Sequence, residues 1–292
     1  MHASHAHQAV ERRFQAYGQE LAGMQWQAGT QRPDQTPVLA LHGWLDNGAS
    51  FQPLAGPLGR PMVALDFAGH GHSEHRPRHQ ATHYVDHVRD VLAVADQLGW
   101  QQFVLVGHSM GAGVACLFAA TFPERVSRLV LIEGLGPPAT AADEVAPNLR
   151  KAIEQMQALP DKRKPVYEDP EQAVAARLPA LGGLEETSAR LLCERGLEQV
   201  DGGWTWRTDA RLRITSSLRL TDGQVKGFVE RITAPTLLVL GNQGLGGDGR
   251  FDHRIDWLRS VEVTRLPGRH HLHMDDPEPV AAAINAFLND DT

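Results

Sequence analysis

The stretch that decides the fold is Phe103–Gly113, with the sequence FVLVGHSMGAG. It opens with Phe103–Val106, a short apolar run of aromatic and β-branched residues that predicts a buried strand. Ser109 follows in the pattern Gly-His-Ser-Met-Gly, and the small residues after it predict a closely packed helix. A serine at a sharp turn between strand and helix is typical of a nucleophile elbow, which exposes the hydroxyl. Gly107 and Gly111 lack a Cβ, so the strand and the helix can approach each other around this strained turn.

The composition indicates an ordinary globular protein. The chain has 292 residues, of which 42% are hydrophobic and 22% are charged, and this is ample material for a core. The net charge of −7 argues against a nucleic-acid partner. Two cysteines, Cys116 and Cys193, cannot form a disulfide framework, so a reducing cytoplasm is expected. We find no signal peptide and no apolar run of membrane-spanning length, and we expect no membrane partner.

Strands and helices alternate along most of the chain, which predicts an α/β protein with a mainly parallel sheet. Tyr84–Leu98 shows the apolar spacing of one helical face, and Glu11–Gln27 indicates an edge hairpin that turns at Gly18. The alternation stops at Pro137 and resumes at Pro235. Residues 1–136 and 233–292 are therefore expected to form the core. Residues 137–232 are expected to form a helical lid inserted between two core strands.

A serine hydroxyl needs a general base to become nucleophilic near neutral pH. The segment Gly268–Pro277, which joins the last strand to the last helix, offers three histidines. His270 comes first after the strand and is the preferred base, and His271 is the second choice. An alternative is a zinc cluster of His270, His271, His273 and Asp275, but adjacent histidines on a short loop cannot easily face one ion.

The developing oxyanion needs two hydrogen-bond donors. The backbone N–H of Met110, directly after Ser109, is one candidate. The other is the N–H of Trp44, in the turn that follows the first central strand. A plain turn with a packing tryptophan is the alternative interpretation of Trp44.

The base in turn needs a carboxylate, for which the sequence offers two candidates. The loop after the strand Pro235–Leu240 reads Gly-Asn-Gln-Gly, so Gly244 stands where an aspartate is common. Asp248 lies four residues further on, in a glycine-rich stretch. Glu133 ends the strand next to the one that carries Ser109, and from there it could reach the same histidine. We prefer Glu133 and keep Asp248 as the alternative acid.

The substrate pocket is expected near the same strand ends. His42 and Gly43 precede Trp44 in the oxyanion turn, and Asp46 is expected at the pocket mouth. Trp204, late in the lid, either packs within the lid or contacts substrate.

Four segments together resemble an α/β-hydrolase: HGWLDNGASFQPLAGPL (His42–Leu58), LDFAGHGHSEHRP (Leu65–Pro77), VGHSMGAGVACLFAATFPERV (Val106–Val126) and HHLHMDDPE (His270–Glu278). Within that superfamily they look most similar to serine hydrolase-like proteins. The resemblance covers the core and is weak in the lid. It implies an α/β-hydrolase fold with a mostly parallel eight-stranded sheet flanked by helices. It also implies Ser109 as nucleophile, His270 as base, and Trp44 and Met110 as oxyanion donors. Some haloalkane dehalogenases are similar in placing a glutamate at the end of the earlier strand, which favours Glu133.

These patterns predict a serine hydrolase that cleaves small carboxylic esters through an acyl-enzyme. We expect a small-molecule ester as its partner, no metal or organic cofactor, and a monomer or homodimer. Two alternatives remain open. One is a C–C bond hydrolase or lyase on the same scaffold, because the triad alone does not fix the reaction. The other is a non-catalytic ligand-binding relative, which the missing aspartate at Gly244 would favour.

Overall fold

The computed structural model of the chain describes residues 9–27, 35–159, 163–179 and 182–289. In these ranges the strands, in chain order, are β1 (Val10–Ala16), β2 (Gln19–Trp26), β3 (Val38–Leu41), β4 (Met62–Leu65), β5 (Phe103–His108), β6 (Val126–Ile132), β7 (Leu197–Val200), β8 (Gly203–Trp206), β9 (Thr236–Gly241) and β10 (Val261–Leu266). The α-helices are α1 (Gln52–Leu58), α2 (Tyr84–Gln97), α3 (Met110–Thr121), α4 (Val145–Gln157), α5 (Pro170–Arg177), α6 (Glu186–Gly196), α7 (Asp222–Val229), α8 (Asp252–Ile255), α9 (Leu272–Asp275) and α10 (Pro277–Asn289).

Eight of these strands form one sheet in the order β1-β2-β4-β3-β5-β6-β9-β10. β1 and β2 are an antiparallel edge hairpin. The other six strands of this sheet, β3, β4, β5, β6, β9 and β10, are parallel to one another. The predicted α/β-hydrolase fold, with its mostly parallel eight-stranded sheet, is therefore confirmed. Parallel strands end at the same edge of a sheet, so the loops after β3, β5, β6, β9 and β10 lie together.

The central strands are buried on both faces, which explains their uninterrupted apolar sequences. Every residue of β3, β4, β5 and β9 is buried. Leu39, Leu105 and Leu131 belong to a core cluster beneath α2 and α3, whereas Val104, Val106 and Val130 belong to a cluster beneath α1 and α10. Two packed layers of helix therefore hold the strand ends in place.

Residues 137–232, which we call the insert, lie in sequence between β6 and β9, two strands that are neighbours in the sheet. The insert contains helices α4 to α7, in line with its helical prediction. It also contains the antiparallel hairpin β7–β8, which we did not predict. The hairpin turns through Asp201 and Gly202, and Gly202 has a φ of 88°. An Asp-Gly pair in a two-residue connection favours such a turn, so the signal was present in the sequence.

An ion pair buried beneath the insert fastens it to the core. Asp66, after β4, lies at 2.7 Å from the guanidinium of Arg195 on α6, and both are largely buried. The same carboxylate accepts hydrogen bonds from the backbone N–H groups of His72 and Gly48. Asp66 therefore also supports the loop that follows β4, through its hydrogen bond to His72. Separately, no helix in the described ranges is long and apolar enough to cross a membrane.

Candidate active site

Ser109 occupies a strained turn between β5 and α3. Its φ of 52° lies in the left-handed region, which residues other than glycine rarely adopt. A Cβ on Gly107 would lie 2.5 Å from the carbonyl oxygen of Gly111, and one on Gly111 would lie 2.0 Å from that of Leu41. Both glycines are therefore required for the close approach of strand and helix, as the elbow pattern predicts.

The side chains of Ser109, His270 and Glu133 form a continuous hydrogen-bonded line, which we call the Ser109 assembly. The Nε2 atom of His270 lies 2.9 Å from Ser109 Oγ, and its Nδ1 atom lies 3.1 Å from Glu133 Oε2. The imidazole and the carboxylate are buried, whereas Ser109 is half-buried. A nucleophile, a base and an orienting carboxylate within hydrogen-bond reach are what serine catalysis requires.

Glu133 is held in place by its own backbone and by neighbouring amides. It directly follows β6 and has a φ of 54°, again in the left-handed region. Its carboxylate accepts hydrogen bonds from the backbone N–H groups of Gly241 and Leu245. A Cβ on Gly244 would lie 2.2 Å from Glu133 Oε2. The missing side chain at Gly244 therefore leaves the space that the glutamate carboxylate occupies.

Asp248, the alternative acid, points elsewhere. Its carboxylate is exposed and forms an ion pair with Arg250 at 2.9 Å. Hydrogen bonds from Arg250 lower the pKa of Asp248 to about 2. Of the two candidate acids, Glu133 is the one that contacts His270.

The two candidate oxyanion donors are the backbone N–H groups of Met110 and Trp44, and both residues line one cavity. Met110 is the first residue of α3, where a backbone N–H has no acceptor within its own helix. In the described ranges, neither this group nor the N–H of Trp44 donates a hydrogen bond to another residue. The Trp44 indole Nε1 donates to the carbonyl oxygen of Leu212 at 2.9 Å, and this bond ties the oxyanion turn to the insert.

The environment of His270 favours the neutral imidazole that a general base needs. Burial lowers the pKa of His270, and the hydrogen bond to Glu133 opposes this shift only in part. A neutral ring can accept the serine proton, and the carboxylate stabilises the imidazolium that then forms.

A second cluster, which we call the Asp46 assembly, lies beside the first and consists of Asp46, His108 and His271. Asp46 Oδ2 lies 3.3 Å from His271 Nε2 and 3.6 Å from His108 Nδ1. Asp46 Oδ1 forms an ion pair with Arg177 of α5, in the insert. His271, the second choice for the base, is therefore engaged away from Ser109.

The charges of the Asp46 assembly are internally compensated. Burial on its own raises the pKa of the Asp46 carboxyl. The partners His271, His108 and Arg177 outweigh burial and hold the pKa well below its usual range. His108 also bonds through Nε2 to the backbone carbonyl of His270 at 2.9 Å, so the two assemblies are connected.

The Asp46 assembly is also the one group in the described ranges with the spacing of a metal site, since its ligand atoms lie within 4.8 Å of one another. It differs from the alternative zinc cluster considered above. In that set, His273 Nε2 bonds to Ser50 Oγ, and Asp275 accepts the N–H of Glu185. Because Arg177 already neutralises Asp46, we interpret this group as a hydrogen-bonded network.

The four residues expected to line the substrate pocket are not among the residues that line the two cavities beside Trp44. His42 is fully buried, and its Nε2 accepts the N–H of Phe67. Gly43 packs against Asp46, because a Cβ there would lie 2.7 Å from the carboxylate. Trp204 packs in the insert cluster and lines a separate cavity beside α5 and α6. These contacts support the turn and the insert, and a role of the four residues in substrate binding stays a prediction.

Apart from Trp44 and Met110, the observed cavity walls come from parts of the chain that the sequence analysis above did not single out. A cavity of about 420 Å³ is bounded by Trp44, Met110 and the 211–220 segment of the insert. A neighbouring cavity of about 570 Å³ also includes Trp44, together with Trp206 of β8. No local pattern marks these insert residues, because only the folded insert brings them near the elbow.

Cys116 of α3 lies outside this chemistry. It is fully buried, and burial raises the pKa of its thiol to about 12. Its Sγ accepts the backbone N–H of Gly136 at 3.3 Å. Cys116 is therefore a small buried residue of the core.

Comparison with known proteins agrees with this architecture. A family model described as the alpha/beta hydrolase fold matches residues 36–181. The chain is 33% identical over 281 residues to a serine hydrolase-like protein of Danio rerio, covering 92% of this chain and 85% of that protein. The solved structure of a hypothetical protein from Pseudomonas aeruginosa PAO1 is 47% identical, with a TM-score of 0.88 over 95% of this chain and 98% of that one. The thioesterase domain from the curacin biosynthetic pathway is 25% identical, with a TM-score of 0.82 over 96% of this chain and 99% of that one. The chain therefore belongs to the α/β-hydrolase family and is related to the serine hydrolase-like proteins.

Proposed function

We propose that this hydrolase cleaves carboxylic esters through a covalent acyl-enzyme formed on Ser109. The observation that carries the proposal is the hydrogen-bonded line from Ser109 Oγ through His270 to Glu133, with distances of 2.9 and 3.1 Å. His270 takes the serine proton as Oγ attacks the acyl carbon. The N–H groups of Met110 and Trp44 stabilise the tetrahedral oxyanion.

The second half of the reaction returns the enzyme to its starting state. His270 gives its proton to the departing alcohol, and the acyl group remains on Ser109. A water molecule then loses a proton to His270 and attacks the acyl carbon, and His270 passes this proton to Ser109 Oγ as the acid is released. The name of one structural neighbour, a thioesterase domain, supports acyl transfer as the class of reaction.

Hydrolysis of 4-nitrophenyl butyrate by the wild type and by Ser109→Ala tests the proposal. Loss of a triad serine lowers kcat by about 10⁴-fold or more. We therefore expect Ser109→Ala to be inactive, whereas Ser260→Ala, a change at an exposed serine, keeps the wild-type rate. Equal rates for the wild type and Ser109→Ala would refute the nucleophile.

A fluorophosphonate probe separates an esterase from a non-catalytic relative, because only an activated serine reacts with it. We expect labelling of the wild type at Ser109. If Ser109 stays unlabelled and the ester is not turned over, the binding-only alternative is correct. A dienoic diketone and a cyanohydrin, assayed beside the esters, test for C–C bond hydrolysis and for lyase activity.

A further inference from the structure

Arg213 lines both of the cavities near Ser109. The smaller cavity reaches Met110, the residue next to Ser109, and the larger one lies on the other side of Trp44. Trp44, Arg213 and Ile214 line both cavities. A substrate whose acyl carbon lies at Ser109 could extend to either side of Trp44, and on both sides it would find Arg213 on the wall.

The walls of these cavities carry charge of one sign. In the described ranges no aspartate or glutamate lines either cavity, whereas six basic residues do: Arg163, Lys164, Arg177, Arg211, Arg213 and Arg219. The chain as a whole is acidic, with 35 aspartates and glutamates against 28 lysines and arginines. The excess of cations is therefore a local property of these cavities. A cleft lined by one sign of charge concentrates ligands of the opposite sign.

Some of these cations are already neutralised by the protein. Arg177 is paired with Asp46, and Arg211 is paired with Asp209. Neither has a free charge to offer a ligand. They account for only part of the positive wall.

The remaining cations have no carboxylate partner among the described residues. Lys164 Nζ donates to the carbonyl oxygens of Trp206 and Thr208, which leaves its charge uncompensated. Arg163, Arg213 and Arg219 form no ion pair in the described ranges. Unpaired guanidinium groups beside an enclosed space are suited to bind a carboxylate or a phosphate in a bidentate manner.

The backbone that carries Arg213 is well anchored. Arg213 ends a short 3₁₀ helix, Ala210–Arg213, whose N-terminus is capped by the side chain of Asp209. The adjacent carbonyl of Leu212 accepts the indole N–H of Trp44. Arg213 is therefore fixed beside the oxyanion turn, although its side chain is exposed.

We propose that Arg213, supported by Lys164 and Arg163, forms an anion-binding subsite, and that the substrate carries a carboxylate or phosphate away from its scissile ester. This inference rests on the proposed function and narrows it to a class of substrates. The anion belongs either to the acyl chain or to the leaving group. The insert supplies the subsite, and the core supplies the reacting groups.

Two matched substrate pairs test the subsite and separate these sources. Mono-4-nitrophenyl suberate and its methyl-capped diester differ only in a free carboxylate on the acyl chain. Octanoyl-coenzyme A and S-octanoyl-N-acetylcysteamine share the thioester and differ in the phosphates of the leaving group. We expect a higher kcat/KM for the anionic member of at least one pair, and a smaller difference in high salt because added ions screen exposed charges.

Arg213→Gln removes the shared cation. Exposed ion pairs are worth up to about 1 kcal/mol, so we expect kcat/KM for the favoured anionic substrate to fall about twofold to fivefold, with a smaller effect on its neutral partner. Arg150→Gln is the matched control, since Arg150 lies on α4, is paired with Glu154 and lines neither cavity. The absence of a charge preference in both pairs, or a preference that survives in Arg213→Gln, would overturn the subsite.

A binding measurement keeps this test independent of turnover. Calorimetric titration of Ser109→Ala with the suberate pair is expected to show tighter binding of the free acid, and this difference disappears in Ser109→Ala/Arg213→Gln. If the ester is hydrolysed equally fast without Ser109, the proposed function fails, and the titration still decides on the subsite. If Ser109-dependent hydrolysis occurs without any charge preference in rate or binding, only the subsite fails.

Discussion

The Ser109 assembly and the Asp46 assembly both pair a buried carboxylate with a histidine, and the two histidines are neighbours in the chain. They differ in what completes them. The imidazole of His270 forms a hydrogen bond with the hydroxyl of Ser109, which lies at a strained turn. The Nδ1 atom of His271, in contrast, is buried without a hydrogen-bond partner. A buried carboxylate–imidazole pair therefore does not by itself indicate a catalytic site.

The two carboxylates also differ in how their charge is balanced. Asp46 is neutralised by the guanidinium of Arg177, which comes from the insert. Glu133 accepts two backbone N–H groups besides its contact with His270. Amide dipoles hold Glu133 in place and leave its charge available to stabilise an imidazolium. The Ser109 assembly thus suits proton transfer, and the Asp46 assembly suits attachment of the insert to the core.

The largest difference is expected between the two neighbouring histidines. His270→Gln removes the base, and we predict that kcat for 4-nitrophenyl butyrate falls by about 10⁴-fold or more. His271→Gln leaves the line to Ser109 intact, so kcat should fall by less than about tenfold. Steady-state kinetics of both variants measure the contrast. Comparable losses in kcat would mean that the two assemblies act as one.

The carboxylates are expected to separate activity from stability. Glu133→Gln should lower kcat by about 10²- to 10⁴-fold, because the imidazole loses its orienting charge. Asp46→Asn leaves Arg177 without its counterion, and breaking a buried pair costs about 3–5 kcal/mol of the free energy of unfolding. Urea unfolding and ester kinetics on both variants measure these effects. A larger loss of stability in Glu133→Gln than in Asp46→Asn would contradict the assignment.

Gly244 offers a way to move the acid between strands. Gly244→Ala places a Cβ about where Glu133 Oε2 lies, so we expect kcat to fall by about tenfold to a hundredfold from misalignment of His270. The double variant Glu133→Gly/Gly244→Asp returns a carboxylate to the same space from the loop after β9. Its kcat should exceed that of Glu133→Gly alone. Wild-type activity in Gly244→Ala would show that the position of Glu133 is not critical.

The smallest expected effect is on the pH profile. Burial lowers the pKa of His270, and protonation of the base stops catalysis, so kcat/KM should rise with pH and reach half its maximum below pH 6.5. Glu133 raises this pKa, so Glu133→Gln should move the midpoint to lower pH while it lowers the maximum. Asp46→Asn should move it less. A midpoint above 6.5 in the wild type would contradict a base held neutral by burial.

The core and its reacting residues could be predicted from local patterns. The elbow, the parallel sheet and the choice of Glu133 follow from the alternation of strands and helices and from the residues at strand ends, which a parallel sheet brings to one edge. The sequence did not decide between Asp248 and Glu133 as the carboxylate that contacts His270, because a glycine-rich loop does not show where its side chains point.

The insert could be predicted only in outline. Its contact from Arg177 to Asp46 and its cationic cavity wall depend on how the insert packs onto the core. Such contacts join residues more than a hundred positions apart and leave no periodic signal in the sequence. The sequence positions of His42 and Asp46 likewise do not reveal that both side chains are buried.

The rate of fluorophosphonate modification, with the adduct located by mass spectrometry, tests the central claim most directly. We expect one adduct on Ser109 in the wild type, formed about a hundredfold more slowly or worse in Glu133→Gln and less than about fivefold more slowly in Asp46→Asn. An adduct at another residue, or equal rates in the wild type and Glu133→Gln, would contradict a serine activated through His270 and Glu133.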